Sequence, residues 1–240
     1  MSQPHYQWHT MRKLWHISAC LFMIAFYFLW QGILAPVHWL NFLLFFVWLL
    51  TIIFLSIDII RFYQPLENKA FLRLPFYAAL LRRHEHTGYN SSTHSLVASA
   101  IMITVLYFGW LTEFSLVCAI AVMALCDPAA ALGRYLFQSF RADITRIIGF
   151  VFFVLSALVI LFGVGWFYGL SKPLAFIAAA LVAALAEAYA GQLWNWFKRM
   201  AIIIASPLNL RAPLWLSGFY PDDNLTAPLA LAFALLFFGL

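Results

Sequence analysis

Several carboxylates of this chain stand where carboxylates are costly. Asp127 interrupts the apolar run "AVMALCDPAAALGRY", Asp58 follows "TIIFLSI", Glu187 sits inside "ALVAALAEAYAG", and Asp222 and Asp223, with Asn224, precede the last apolar stretch. An ionised Asp at the centre of a bilayer helix costs about 2.5–3.5 kcal/mol on insertion scales, so such residues face a cavity or a partner. Carboxylates from different helices, gathered at one depth beside basic residues, are what a hard divalent cation and a phosphate together require. Mg²⁺ takes oxygen ligands, keeps several waters, and is held by one or two carboxylates plus substrate phosphates. Asp127, Asp222, Asp223, Asn224 and Glu187 are therefore the candidate metal ligands.

The basic partners lie in "MRKLWH", with Arg12 and Lys13, and in "LRRHEHTGYNSSTHS", which brings Arg82, Arg83, Glu85 and several hydroxyls to the mouth of a span. Such groups can clamp phosphoryl oxygens. Plainer roles stand beside these. Asp58 lies three residues before Arg61 and is expected to form a local ion pair with it. Glu187 could pair with an arginine, and Asp222 to Asn224, like Ser91 to Thr93, could cap a helix. His16 reads as a hydrogen-bonded core residue. His84, His86 and His94 have no part in hard-metal chemistry. Cys20, Cys118 and Cys126 show no metal or redox spacing and read as small core residues.

The elements that must position these residues are membrane spans. The chain of 240 residues is 65% hydrophobic and 10% charged, with a mean hydropathy of +0.90. A wet surface calls for about 25–35% charged residues, so a soluble domain is excluded. The apolar runs are about 20 residues long, the length of spanning helices, and the short alternating strands of a barrel are missing. The expected fold is an all-α, polytopic membrane bundle forming one domain over 1–240. The spans are placed at 14–34, 37–60, 94–111, 114–133, 144–166, 173–197 and 225–240. A cytoplasmic loop at 61–93 is expected to carry an interfacial helix. Residues 200–219, with Pro207, Arg211 and Pro213, are expected to form a re-entrant or interfacial hairpin. Pro128 is expected to end or kink the fourth span at Asp127.

With the N-terminus cytoplasmic, every Lys and Arg except Lys172 falls on that side, among 14 in all. That asymmetry is the positive-inside pattern, so the net charge of +5 concerns orientation and anionic headgroups and leaves no role for nucleic acid.

Read in order, "RKLWHISA", "LLRRHEHTGYNSSTHSL", "DPAAALGR", "ALAEAYAG" and "DDNLTAPLALA" resemble the dolichol kinase, phytol kinase and CTP-dependent diacylglycerol kinase family, itself related to the membrane phosphatidate cytidylyltransferases. The resemblance implies Mg²⁺-dependent transfer of a phosphoryl group from CTP to the hydroxyl of a membrane lipid or isoprenoid alcohol at the cytoplasmic face. It implies catalytic roles for Asp127, Glu85, Arg12 and Lys13. Nucleotide and phosphate contacts would fall to Arg82, Arg83, Gly133, Arg134, Arg146 and Gly149, with the metal on the ligands named above. Thr145, Ile148 and Phe150 stand where the family carries a lysine, a glutamate and a hydroxyl. A catalytically degenerate member, acting as a lipid- or partner-binding membrane subunit, is therefore the alternative. A transporter with a midplane site is a third class, disfavoured because the polar groups gather at one face and no inverted repeat shows.

Overall fold

The structure, a computed structural model, describes residues 10–33, 36–64, 73, 89–205 and 223–240. Among these, seven helices follow one another: α1 (Thr10–Ile33), α2 (Pro36–Tyr63), α3 (Ser91–Tyr107), α4 (Glu113–Leu136), α5 (Ala142–Phe167), α6 (Pro173–Ala205) and α7 (Asp223–Phe237). The protein is an all-helical, polytopic membrane-spanning bundle. Five helices, α1, α2, α4, α5 and α6, are long and apolar enough to cross a membrane, and α3 and α7 are shorter apolar helices.

Burial identifies the centre. An 18-residue window of α4 is 83% buried, against 11% for α1 and 22% for α2 and for α5. The outer helices bury one stripe each and turn the remainder outward, as lipid-facing helices do. In α2 the stripe is Trp39, Leu43, Val47 and Thr51, each one turn from the next. In α5 it is Gly149, Phe153, Ala157, Leu161 and Gly165. On the opposite face of α5, Val159 and Trp166 are 73% and 86% exposed.

Small residues let the backbones approach, which is how helices associate where hydrocarbon surrounds them. Ala175, Ala179, Ala180, Ala183 and Ala184 are buried along α6, where α7 packs against it. Gly165 admits the Phe176 ring: a Cβ there would lie 2.8 Å from it. The turns from α3 to α4 and from α5 to α6 pass through Gly109 at φ 73° and Gly169 at φ 68°, a left-handed conformation that glycine adopts without penalty.

Side-chain bonds fix the direction of packing. Lys13 meets Asp127, His16 meets the Met123 carbonyl, and Gln31 Nε2 donates to Glu113 Oε1 at 2.9 Å, so α1 and α4 run antiparallel over their length. One end of the bundle thus gathers the start of α1, the end of α2, the start of α3, the end of α4 and the start of α5, with Arg12, Lys13, Arg61, Arg134, Arg141 and Arg146. The opposite end carries Lys172, whose Nζ donates to the Gly239 carbonyl at 3.4 Å.

Two expectations change. Pro128 does not end the helix: α4 continues through it to Leu136, and Pro128 is buried. The proline deprives the Ala124 carbonyl of its helical donor, but the close packing around α4 holds the helix together. Residues 200–205, expected in a hairpin, continue α6 to Ala205. At 33 residues α6 is about 50 Å long, beyond the roughly 30 Å hydrocarbon core, so it extends past the membrane. Arg82, Arg83, Glu85 and Asp222, with most of the 61–93 loop and residues 206–219, lie outside the described residues.

Candidate functional site

Asp127 sits nine residues before the end of α4, on the side of the helix that faces α1, and is 6% exposed. Lys13, one turn into α1, donates from Nζ to Asp127 Oδ2, and both side chains are more than nine-tenths buried. The ammonium offsets the charge of the buried carboxylate. Asp127 Oδ1 is buried and has no hydrogen-bond partner among the described residues.

One turn further into the bundle, His16 Nε2 lies 2.9 Å from the Met123 carbonyl. A carbonyl only accepts, so His16 Nε2 carries a proton and donates it. His16 follows Lys13 by three residues, and Met123 precedes Asp127 by four. Helical spacing therefore stacks the two contacts on one seam between α1 and α4.

At the same end of the bundle, Asn224 in the first turn of α7 donates from Nδ2 to Ser91 Oγ in the first turn of α3, and both are buried. The side chains of Arg12 and Asp223 are outside the described residues. Glu187 is placed against Arg134, whose Nη1 donates to Oε1 at 3.2 Å. Among the described residues no group of three or more His, Cys, Asp or Glu side chains is arranged to hold a metal ion.

The two glycines assigned to phosphate are filled by side chains. A Cβ at Gly133 would lie 2.8 Å from the Phe152 ring, and a Cβ at Gly149 would lie 2.8 Å from Arg134 Cγ. Gly149 thus gives Arg134 of α4 a passage across α5 to Glu187 of α6. Arg146 is exposed. Thr145, at the position of the family's lysine, turns its Oγ1 to the carbonyls of Phe137 and Arg141 at 3.3 and 3.1 Å and closes the turn between α4 and α5.

A second buried carboxylate anchors α3. Asp58 accepts from Arg61 Nη1 at 2.6 Å, from the Asn90 backbone N–H at 2.8 Å and from Thr93 Oγ1 at 2.6 Å. Asn90, not Ser91 to Thr93, is the N-cap, and its Oδ1 accepts from the Ser92 N–H at 2.9 Å. Burial first, then the Asp58 charge and Tyr63, push the Tyr89 phenol above its usual range, so it stays neutral.

Beside the Lys13–Asp127 pair opens a cavity of about 550 Å³ bounded by α1, α2, α3 and α4. Its polar groups, His16, Ser92 and Ser95 among them, gather toward the basic end, and the wall beyond is apolar, with Phe22, Phe26, Phe46 and Val47. Sequence reasoning found neither this cavity nor the place of His16 on it. The spacing of His16 from Lys13 was the available signal.

No protein-family model, no curated protein and no solved structure matches this chain.

Proposed function

We propose that the protein is a lipid or polyprenol kinase that transfers a phosphoryl group from CTP to the hydroxyl of a membrane lipid or isoprenoid alcohol. The observation that carries the reading is the Lys13–Asp127 pair, buried at the basic end of the bundle with one carboxylate oxygen open. The ordered motifs that resemble the CTP-dependent lipid kinases support it. Phosphoryl transfer is almost entirely positioning and charge neutralisation, and this end of the molecule supplies both.

Asp127 Oδ1 fits a hard cation, since it is an oxygen donor without a partner among the described residues, and one or two carboxylates suffice for Mg²⁺ when phosphates complete the shell. Asp127 would hold the ion with Asp222 and Asp223, and Asn224 would contribute its carbonyl oxygen. When bound, Mg²⁺ offsets charge on the transferred phosphoryl group. Lys13 can exchange Asp127 Oδ2 for a phosphate oxygen, because an ammonium carries three donors. Arg12, Arg82, Arg83, Arg134 and Arg146 would meet the triphosphate, and Glu85 would have the catalytic role the resemblance implies for it. The acceptor oxygen forms its bond to the γ-phosphorus as the bond to the β–γ bridging oxygen breaks. CDP leaves with the electron pair, and the hydroxyl proton passes to a base or to solvent.

The same reading orients the chain with its basic end cytoplasmic and all seven helices crossing. Helices α3 and α7, at 17 and 15 residues, reach about 26 and 23 Å, enough for a thin or locally compressed bilayer. The test is to incubate the purified protein with CTP, Mg²⁺ and diacylglycerol, polyprenol, phytol or farnesol. A phosphorylated lipid that disappears in Asp127→Asn is expected. Absence of product with every acceptor, or full activity in Asp127→Asn, refutes the mechanism.

One observation favours a second reading, a non-catalytic lipid- or partner-binding subunit: Gly133 and Gly149 are filled by Phe152 and Arg134, leaving no glycine cradle there. That reading expects no thermal shift with CTP and Mg²⁺, whereas the kinase reading expects one.

A further inference from the structure

Carboxylates in this bundle come with cations. Among the described residues Asp58 lies against Arg61, Asp127 against Lys13, Glu187 against Arg134 and Asp143 against Arg141. Glu113, at the opposite end of the bundle, differs: the neutral amide of Gln31 donates to its Oε1 at 2.9 Å, and no lysine or arginine among the described residues pairs with it. Lys172, at the same end, is turned to the Gly239 carbonyl. Glu113 opens α4, where the helix dipole favours a negative charge.

A second polar group faces the same point. Tyr27 of α1 is 3% exposed, and its hydroxyl is turned toward the Glu113 carboxylate without closing a hydrogen bond to any described residue. A buried hydroxyl left without a partner costs about 1–3 kcal/mol. Carboxylate and phenol together offer two converging oxygen acceptors, so the group that completes them carries a positive charge and at least two protons. A primary ammonium carries three.

Beside these groups a crevice of about 270 Å³ opens between α1, α4 and α5. Val117 on its α4 wall is one turn from Glu113, and Phe28 on its α1 wall is three residues from Gln31, so the Glu113–Gln31 pair stands at its head. Tyr168 lines the α5 side, where burial first, then the Glu113 charge and Cys118, raise its phenol above the usual range and keep it neutral. The rest is apolar, with Val164 and Phe167, and a Cβ at Gly163 would meet nothing within 4 Å. At roughly 30 Å³ per water-sized group, the crevice holds about nine carbons, the upper part of one acyl chain.

We propose that this crevice binds a primary-amine phospholipid, with the lipid ammonium on Glu113 and Tyr27 and the upper part of one acyl chain between Phe28 and Phe167. A phospholipid fits better than a soluble amine because an apolar crevice leads away from the carboxylate. The site lies at the far end of the bundle from Asp127 and is independent of the kinase reading.

The full chain in detergent is exchanged into equal amounts of phosphatidylethanolamine, phosphatidylcholine and phosphatidylglycerol, and the retained lipids are counted by native mass spectrometry. Phosphatidylethanolamine is expected in preference to both others, because a quaternary ammonium donates no hydrogen bond and the phosphatidylglycerol head carries no cation. Glu113→Gln removes the charge but keeps an oxygen to accept from Gln31, so the fold persists while the preference falls about tenfold, which is about 1.4 kcal/mol of binding. Gly163→Leu fills the crevice from α5 and is expected to lower retention about as much. A phosphatidylethanolamine with a photoactivatable diazirine on its upper chain should label Val117, Val164 and Phe167. Equal retention of phosphatidylethanolamine and phosphatidylcholine, undiminished retention in either variant, label confined to the basic end, or displacement of the probe by free ethanolamine overturns the assignment.

Discussion

Replacing Asp127 with leucine leaves the Lys13 ammonium in a site where its side chain is 8% exposed, with its carboxylate gone. Replacing Lys13 with methionine strands Asp127, whose side chain is 9% exposed, in the same way. Breaking one partner of a buried pair costs about 3–5 kcal/mol, whereas replacing both with apolar residues of similar volume is often neutral or stabilising by about 1–4 kcal/mol. The lower end applies here, because the unfolded reference of a membrane helix still finds polar partners in the bilayer. Each single variant is therefore expected to lose about 3 kcal/mol, and Lys13→Met/Asp127→Leu is expected to return to within about 1 kcal/mol of the parent. Asp127 Oδ1 makes the double replacement cheap: it has no described partner that leucine would strand. Unfolding in mixed micelles of increasing SDS fraction, followed by the fluorescence of the 10 tryptophans, measures all four proteins. Additive losses in the double variant would refute the pairing. The same variant separates scaffold from chemistry, since a folded Lys13→Met/Asp127→Leu protein should form no phosphorylated lipid.

Two further variants probe the seams around the site. Gly149→Ala places a methyl group 2.8 Å from Arg134 Cγ, so it should cost about 1–3 kcal/mol as overpacking and loosen the Arg134–Glu187 bond; the double-mutant cycle with Arg134→Ala should be strongly non-additive. Asp58→Leu should cost about 3–5 kcal/mol, and adding Arg61→Met should restore little of it, because the Asn90 N–H and Thr93 hydroxyl still lack an acceptor; full recovery on SDS titration would contradict that assignment.

The helices were legible because their signal is length and composition, which the bilayer imposes on each span separately. The Asp58–Arg61 pair was legible for the same reason, since its partners are three residues apart on one helix. The Lys13–Asp127 couple was legible only as two members of a set, because 114 residues separate them and their contact depends on how α1 docks on α4. Gly133 and Gly149 show the limit: a glycine needed for close packing and one needed to admit phosphate look the same in sequence. The length of the fourth span, placed over 114–133, already carried it past Pro128, but whether the proline ends the helix was not legible, since local propensity argues for a break and tertiary burial overrides it.

Two buried carboxylates at one end of the same bundle offer an internal comparison. Asp58, 3% exposed, takes three donors, from Arg61, Asn90 and Thr93, and is satisfied on both oxygens. Asp127, 6% exposed, takes one donor among the described residues and keeps Oδ1 unsatisfied. A buried acceptor without a donor costs about 1–3 kcal/mol, more when it is charged, so a carboxylate retained purely to fasten helices should resemble Asp58. Under the kinase reading, that difference suits a residue held for a ligand: one oxygen is secured by a lysine and the other is left for the metal ion. It also explains why the aspartate belongs to α4, the most buried helix, where packing from several sides can bear the cost of an unsatisfied charge that a lipid-facing helix could not.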